Sequence, residues 1–437
     1  MNFSATSLRK ISSNVKRLPA RFARRRQRLF EYRFFAYLTL LGPGIIAASS
    51  GNEASGIATY SSAGADYGYT LLWAFIPMTV CFVVAQEMCV RMGVVTGQGL
   101  ADLIREQFGV RWTALVMSAL LIANTGIIIA EFVGVAQASE LLGVSRYIAI
   151  PITAIVVWWL VVRGTPKRVE QVFLLMSLIF LTYIVSAFLA KPDWAQVGTE
   201  FVTPSFSLET GYLFTVVALV GTTITPFMQI FVQSSVVEKG LQKEDYKIAR
   251  ADAIIGVFFA NLVAAFIVIS TAATLHSQGI RIETAADAAQ SLAPVAGQYA
   301  KYIFAVGLFG ASMLAMGVLP LATAYSVSEA LGFEKGLSHS FKEAPIFLGI
   351  FSSLILIGAV VALVPGIPQI KLLILTQCVN GLLLPVLLVA IVLLSSSREI
   401  MGEYKNSFFY NCLAWFITVA VSLLSLLLIG KTVYGIF

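Results

Sequence analysis

Charge is scarce in this chain: Asp, Glu, Lys and Arg make up 12% of 437 residues, about half the share in an ordinary soluble domain. Histidine is rarer still, with only His276 and His339. No GxGxxG, Walker or HExxH pattern occurs, and no polar segment is long enough to form a separate catalytic domain. These gaps argue against a nucleotide-driven pump, a zinc hydrolase and an enzyme of any familiar kind. The four cysteines, Cys81, Cys89, Cys378 and Cys412, lie in or beside apolar stretches without metal-ligand spacing. They read as packing residues, not as a disulfide framework.

Apolar residues fill the space that charge leaves, at 58% of the chain and a mean hydropathy of +0.84. Apolar runs of membrane-spanning length recur along it. They predict an all-α polytopic membrane protein with spans near 36–64, 69–90, 113–141, 147–163, 169–190, 209–238, 250–274, 300–331, 344–364, 370–395 and 408–430. The net charge of +7 is unevenly placed, with ten Lys/Arg and one acid in residues 1–35. If that arm is cytoplasmic, only Arg146, Lys191, Arg281, Lys301, Lys371 and Lys431 of the 30 Lys/Arg fall outside. The bias follows the positive-inside rule and predicts a plasma-membrane protein with its N-terminus inside and its C-terminus outside. The arm has no apolar core, so it reads as a solvated segment touching anionic lipid, neither a signal peptide nor a nucleic-acid-binding region.

Two spans are interrupted. The first contains "SGNEASG", which sets Asn52 and Glu53 among the small residues Ser50, Gly51, Ser55 and Gly56. The sixth contains "VGTTITPFMQ", in which Pro226 follows Thr222, Thr223 and Thr225. Proline removes a backbone donor and frees a carbonyl one turn earlier. Unpaired backbone at membrane depth is tolerated only where it is buried in protein or lines a cavity. A mid-span carboxylate costs roughly 2.5–3.5 kcal/mol on insertion scales. Broken helices five spans apart are the sequence sign of two inverted five-helix repeats with a binding site at the bilayer midplane. The repeats are expected over 36–190 and 209–395, followed by an eleventh helix over 408–430.

The stretch "LGPGIIAASSGNEASGIATYSSAGADYGYTLLW" (Leu41 to Trp73) resembles the first-helix signature of the Nramp divalent-metal transporters. The resemblance continues through "TGQGLADLIREQFG", "AEFVGVAQA", "SSVVEKG" and "TQCVNGLLLPVLLVAI", covering about residues 36–396. It implies the LeuT-like fold, a 5+5 inverted repeat. The family's Asp-Pro-Gly-Asn falls here on Glu53, Ala54, Ser55 and Gly56, with Asn52 as a substitute amide. Its Met-Pro-His falls on Thr225, Pro226 and Phe227, so the sulfur ligand and the histidine are both replaced. A family acid in span three becomes Ile128, its neighbour is kept as Glu131, and the metal-facing glutamine of span ten is Gln377. This combination is similar to the Nramp-related magnesium transporters.

Oxygen ligands suit Mg²⁺ and Mn²⁺, whereas thioethers favour softer metals. The expected ion site is Glu53 with Asn52, Thr225, Gln377 and carbonyls near Ser50 and Thr222. Glu131, Gly56 and Thr223 stand behind it as support or relay. Met228 is read as a packing residue. The expected activity is secondary transport of Mg²⁺, with Mn²⁺ accepted, by a monomer without a resident cofactor or obligatory proton coupling. A proton-coupled Mn²⁺/Fe²⁺ carrier, an amine transporter using Glu53 and a non-transporting Nramp-like sensor are the competing readings.

Overall fold

The computed structural model describes residues 42–163, 171–172, 175, 181–290, 300–336, 339–365 and 369–434. The basic arm at 1–35, the start of the first span and most of the fifth lie outside the described residues. Among the described residues every regular element is helical. In chain order they include α1 (Pro43–Ser49), α2 (Ala54–Tyr67), α3 (Phe75–Thr96), α4 (Leu100–Leu141) and α5 (Arg146–Arg163). Next come α6 (Leu181–Leu189), α7 (Thr210–Thr223), α8 (Pro226–Glu238), α9 (Tyr246–Thr274) and α10 (Ala300–Leu331). The last are α11 (Pro345–Ala362), α12 (Gln369–Ser396) and α13 (Phe408–Tyr434).

Nine stretches among the described residues are long and apolar enough to cross a membrane. The first expected span is not in that set, and its start at 36–41 lies outside the described residues. The fifth is absent because few of its residues are described. One connection departs from expectation: the loop before residue 113 is helical from Leu100 and runs into the third span through Gly109, at φ 80°. Leu100, Leu103 and Ile104 are buried on this short arm. Their apolar spacing makes it helical although its charges keep it out of a hydropathy-defined span.

Both expected interruptions are present. α1 ends at Ser49, Ser50–Asn52 form a 3₁₀ turn, and Glu53 is extended at φ −64° and ψ 176° before α2 begins. α7 ends at Thr223, and the extended Thr225 precedes Pro226, the first residue of α8. Proline disfavours helical geometry at the residue before it, yet its missing N–H costs nothing at the first helical position. The same residue therefore ends one half-helix and starts the next.

Small residues let the backbones around these breaks touch, as in many membrane helix pairs. A Cβ on Gly221 of α7 would stand 2.0 Å from the Gln377 carbonyl of α12. One on Gly381 of α12 would stand 2.4 Å from the Val217 carbonyl of α7. The α7–α8 pair is the most enclosed span, 94% buried over its apolar window against 28% for α13. α13 covers one flank through Leu428, packed with Leu213, Val217 and Cys378. Its Ser425 hydroxyl donates to the Gly381 carbonyl at 3.0 Å.

Candidate metal centre

Glu53 lies between α1 and α2 with its side chain fully buried. Gln377 Nε2 donates to Glu53 Oε1 at 2.6 Å, and the other carboxylate oxygen accepts from no donor among the described residues. Gln377 Oε1 in turn accepts from Asn380 Nδ2 at 3.2 Å, while Asn380 Oδ1 has no partner among the described residues. Nothing in the local sequence singles out Asn380. It reaches the site because it stands one turn beyond Gln377 on α12.

The two breaks face each other. Thr222 Oγ1 donates to the Gly51 carbonyl at 3.3 Å. Thr225 Oγ1 donates to the Gly221 and Thr222 carbonyls at 2.9 and 3.0 Å. Each of these carbonyls keeps a second lone pair. A Cβ on Gly56 would lie 2.2 Å from the Gly51 oxygen and 2.9 Å from Thr222 Oγ1. Only glycine allows that approach. Thr223 Oγ1 pairs with the Tyr60 hydroxyl at 3.1 Å and ties α2 to the end of α7.

The remaining expected residues divide. Asn52 Nδ2 donates to the Ala260 carbonyl of α9 at 3.1 Å, which spends its donor away from Glu53. The Ser50 hydroxyl bonds back to the Ala47 carbonyl at 2.6 Å. Glu131 accepts from the Ala54 and Ser55 amides at 3.0 and 3.2 Å and from the Ser55 hydroxyl at 2.7 Å. Those amides belong to the first turn of α2, whose backbone donors are otherwise orphaned. A carboxylate there is favoured by the helix dipole. Glu131 thus fixes the backbone immediately after Glu53.

Packing alone does not describe Met228. A Cβ on Gly51 would stand 2.6 Å from the Met228 methyl and 3.6 Å from its sulfur, so the thioether abuts the first break. Sequence position three residues past Thr225 hides this, because one helical turn restores the same face. Two further side chains escaped the sequence reading. Gln229 and Gln86 are fully buried, and neither amide finds a partner among the described residues. Their only sequence signal is polarity within an apolar span.

Among the described residues no group of three or more His, Cys, Asp or Glu is gathered to hold a metal. Neutral oxygens of Gly51, Gly221, Thr222 and Thr225 cluster at the two breaks, and Gln377 turns its Nε2 group to Glu53. One carboxylate, backbone carbonyls at two broken helices and an amide from a third span are brought together from both halves of the chain.

Residues 44–431 match the family described as natural resistance-associated macrophage protein-like, or Nramp. The chain belongs to the Nramp family. A divalent metal cation transporter, MntH, of Deinococcus radiodurans is 28% identical over 414 residues, covering 91% of each chain. An MntH of Aeromonas hydrophila is 26% identical over 380 residues, covering 84% of this chain and 90% of that one. The crystal structure of an Eremococcus coleocola manganese transporter superposes with a TM-score of 0.73 at 19% identity, over 92% of this chain and 88% of that one. Mhp1, a nucleobase-cation-symport-1 family transporter, superposes at 0.55 with 14% identity, over 90% of this chain and 93% of that one. These likenesses establish the LeuT-like fold of this Nramp protein: all-α, two inverted five-helix repeats and an eleventh helix. The five-span separation of its broken helices is the arrangement such a repeat requires.

Proposed function

We propose that this Nramp protein is a secondary transporter of hard divalent cations, Mg²⁺ foremost and Mn²⁺ also accepted. It works in a plasma membrane as a single chain by alternating access. The observation that carries the reading is the buried Glu53 carboxylate, with one oxygen unpaired, at the meeting of two broken helices. The relatives named as divalent metal cation transporters support the substrate class. An ion suits the breaks better than an amine or amino acid, because Thr222 and Gly51 bond directly across them at 3.3 Å. Mg²⁺ keeps several waters and needs only one or two carboxylates, which suits a site with a single acid. The Met228 thioether beside Gly51 favours acceptance of Mn²⁺ as well.

We further propose transport without obligatory proton coupling. Phe227 cannot titrate. Ile128 packs with Phe132 against Gly358 of α11, where an added Cβ would meet their side chains at 2.7 and 2.8 Å. α11 carries no ionisable residue over Pro345–Ala362. His276 holds the Ala65 carbonyl at 2.8 Å, near the end of α2 remote from Glu53. The decisive experiment is uptake of Mg²⁺, Mn²⁺, Ca²⁺ and Fe²⁺ into proteoliposomes with internal pH recorded. Protein-dependent uptake of Mg²⁺ and Mn²⁺ is expected. Failure to move any divalent cation across an imposed gradient would refute the reading.

A further inference from the structure

Gln377 presents the wrong atom to a cation. Its Nε2–H₂ group donates to Glu53 Oε1 at 2.6 Å, and its oxygen points back to Asn380 Nδ2 at 3.2 Å. That orientation suits a bare carboxylate, which accepts hydrogen bonds only. A divalent ion beside Glu53 would instead face a polar N–H group of the same sign. To ligate, Gln377 must rotate its terminal amide by half a turn and bring Oε1 to the ion. The freed Nε2 then needs an acceptor inside a fully buried site. Asn380 has one, since its Oδ1 accepts from no protein donor, and its own terminal torsion is broad and roughly two-fold.

We infer that Asn380 is a positioning residue whose amide turns in step with Gln377. With the Gln377 Nε2 group turned to Glu53, Asn380 donates to Gln377. In the loaded protein it accepts from Gln377, and the Gln377–Asn380 hydrogen bond survives in both states. The pair lets one side chain turn either an oxygen to a cation or a donor to the Glu53 carboxylate. Both residues stand on one face of α12 at i and i+3, so neither reorientation requires the helix to move. This inference rests on the reading of Glu53 as the ion-binding carboxylate.

The test uses purified full-length protein and Mn²⁺, whose binding is read by loss of the free-ion electron paramagnetic resonance signal, with Mg²⁺ as competitor. Asn380→Val, which can neither donate nor accept and is isosteric with Thr, is expected to weaken Mn²⁺ binding about tenfold, or about 1.4 kcal/mol. Asn380→Thr, which restores a donor and an acceptor, is expected to recover at least half of that loss on a logarithmic scale. A merely structural role would not follow this isosteric pair. In a Gln377→Ala background the Asn380→Val change is expected to have almost no further effect, since contacting residues couple in a mutant cycle. Equal losses in both backgrounds, or no loss in either, would overturn the inference. Asn380→Leu replaces Asn380→Val if the latter does not fold. Glu53→Gln is measured alongside. Wild-type Mn²⁺ binding by that variant would remove the ion-site reading itself, whereas loss there with a silent Asn380→Val would remove only the amide pair.

Discussion

Glu53 concentrates the chemistry of this site into one side chain. Its carboxylate is fully buried, and among the described residues its one hydrogen-bond donor is Gln377. A full negative charge at this depth needs an opposite charge beside it. Glu53→Gln keeps the size and removes the charge. It is expected to abolish divalent uptake while leaving detergent-solubilised protein monodisperse with an unreduced melting temperature. Uptake near the wild-type rate would contradict the assignment. Met228 supplies a second residue-scale prediction. Its sulfur at the first break should aid softer ions, so Met228→Leu is expected to lower Mn²⁺ and Cd²⁺ uptake more than Mg²⁺ uptake. Thr225→Met is expected to do the reverse and favour Cd²⁺ over Mg²⁺. Competition of unlabelled ions against radioactive Mn²⁺ measures both variants, and an unchanged order of preference in each would show that sulfur does not reach the ion.

Helix breaks are legible in the sequence because their causes are local. Pro226 fixes its own φ and constrains Thr225, while a mid-span acid among glycines and serines marks the other break. The supports of those breaks are tertiary, and they are not legible in the same way. Glu131 is 77 positions from Ala54 and caps its amide only once α4 crosses α2. Nothing local to Asn380 or Met228 reveals that one backs Gln377 and the other borders Gly51. The α7–α12 contact is of the same kind and can be tested. Gly221→Ala would drive a methyl to within 2.0 Å of the Gln377 carbonyl, so one backbone must shift. Overpacking of this sort costs about 1–3 kcal/mol. A lowered melting temperature is expected together with a raised KM for Mg²⁺, since the displaced carbonyl belongs to the residue that meets Glu53. A variant with unaltered melting temperature and KM would show that α12 can move aside without disturbing the site.

Across the whole molecule, burial of Glu53, Gln377, Thr222 and Thr225 describes a site closed to both sides. Under the proposed function the half-helices part on one side at a time, and gradients across the membrane supply the driving force. The membrane potential supplies about 2.3 kcal/mol per elementary charge per 100 mV, hence about 4.6 kcal/mol for a divalent cation. Each 1.4 kcal/mol is a factor of ten, so 100 mV alone sustains accumulation of roughly three orders of magnitude. A proton partner is not needed for that task. The structure also offers few groups to carry one: Ile128 and Phe132 pack apolar surface against α11, and Glu131 is engaged by three donors at the start of α2. Proteoliposomes containing a pH-sensitive dye, with the potential clamped by potassium and valinomycin, separate the alternatives. An inward Mg²⁺ gradient is expected to load the vesicles without stoichiometric acidification, and the rate should rise as the interior is made more negative. Acidification that requires the protein and vanishes in Glu131→Gln would establish coupling. Glu131 would then act as a proton carrier as well as the cap that holds α2 in place.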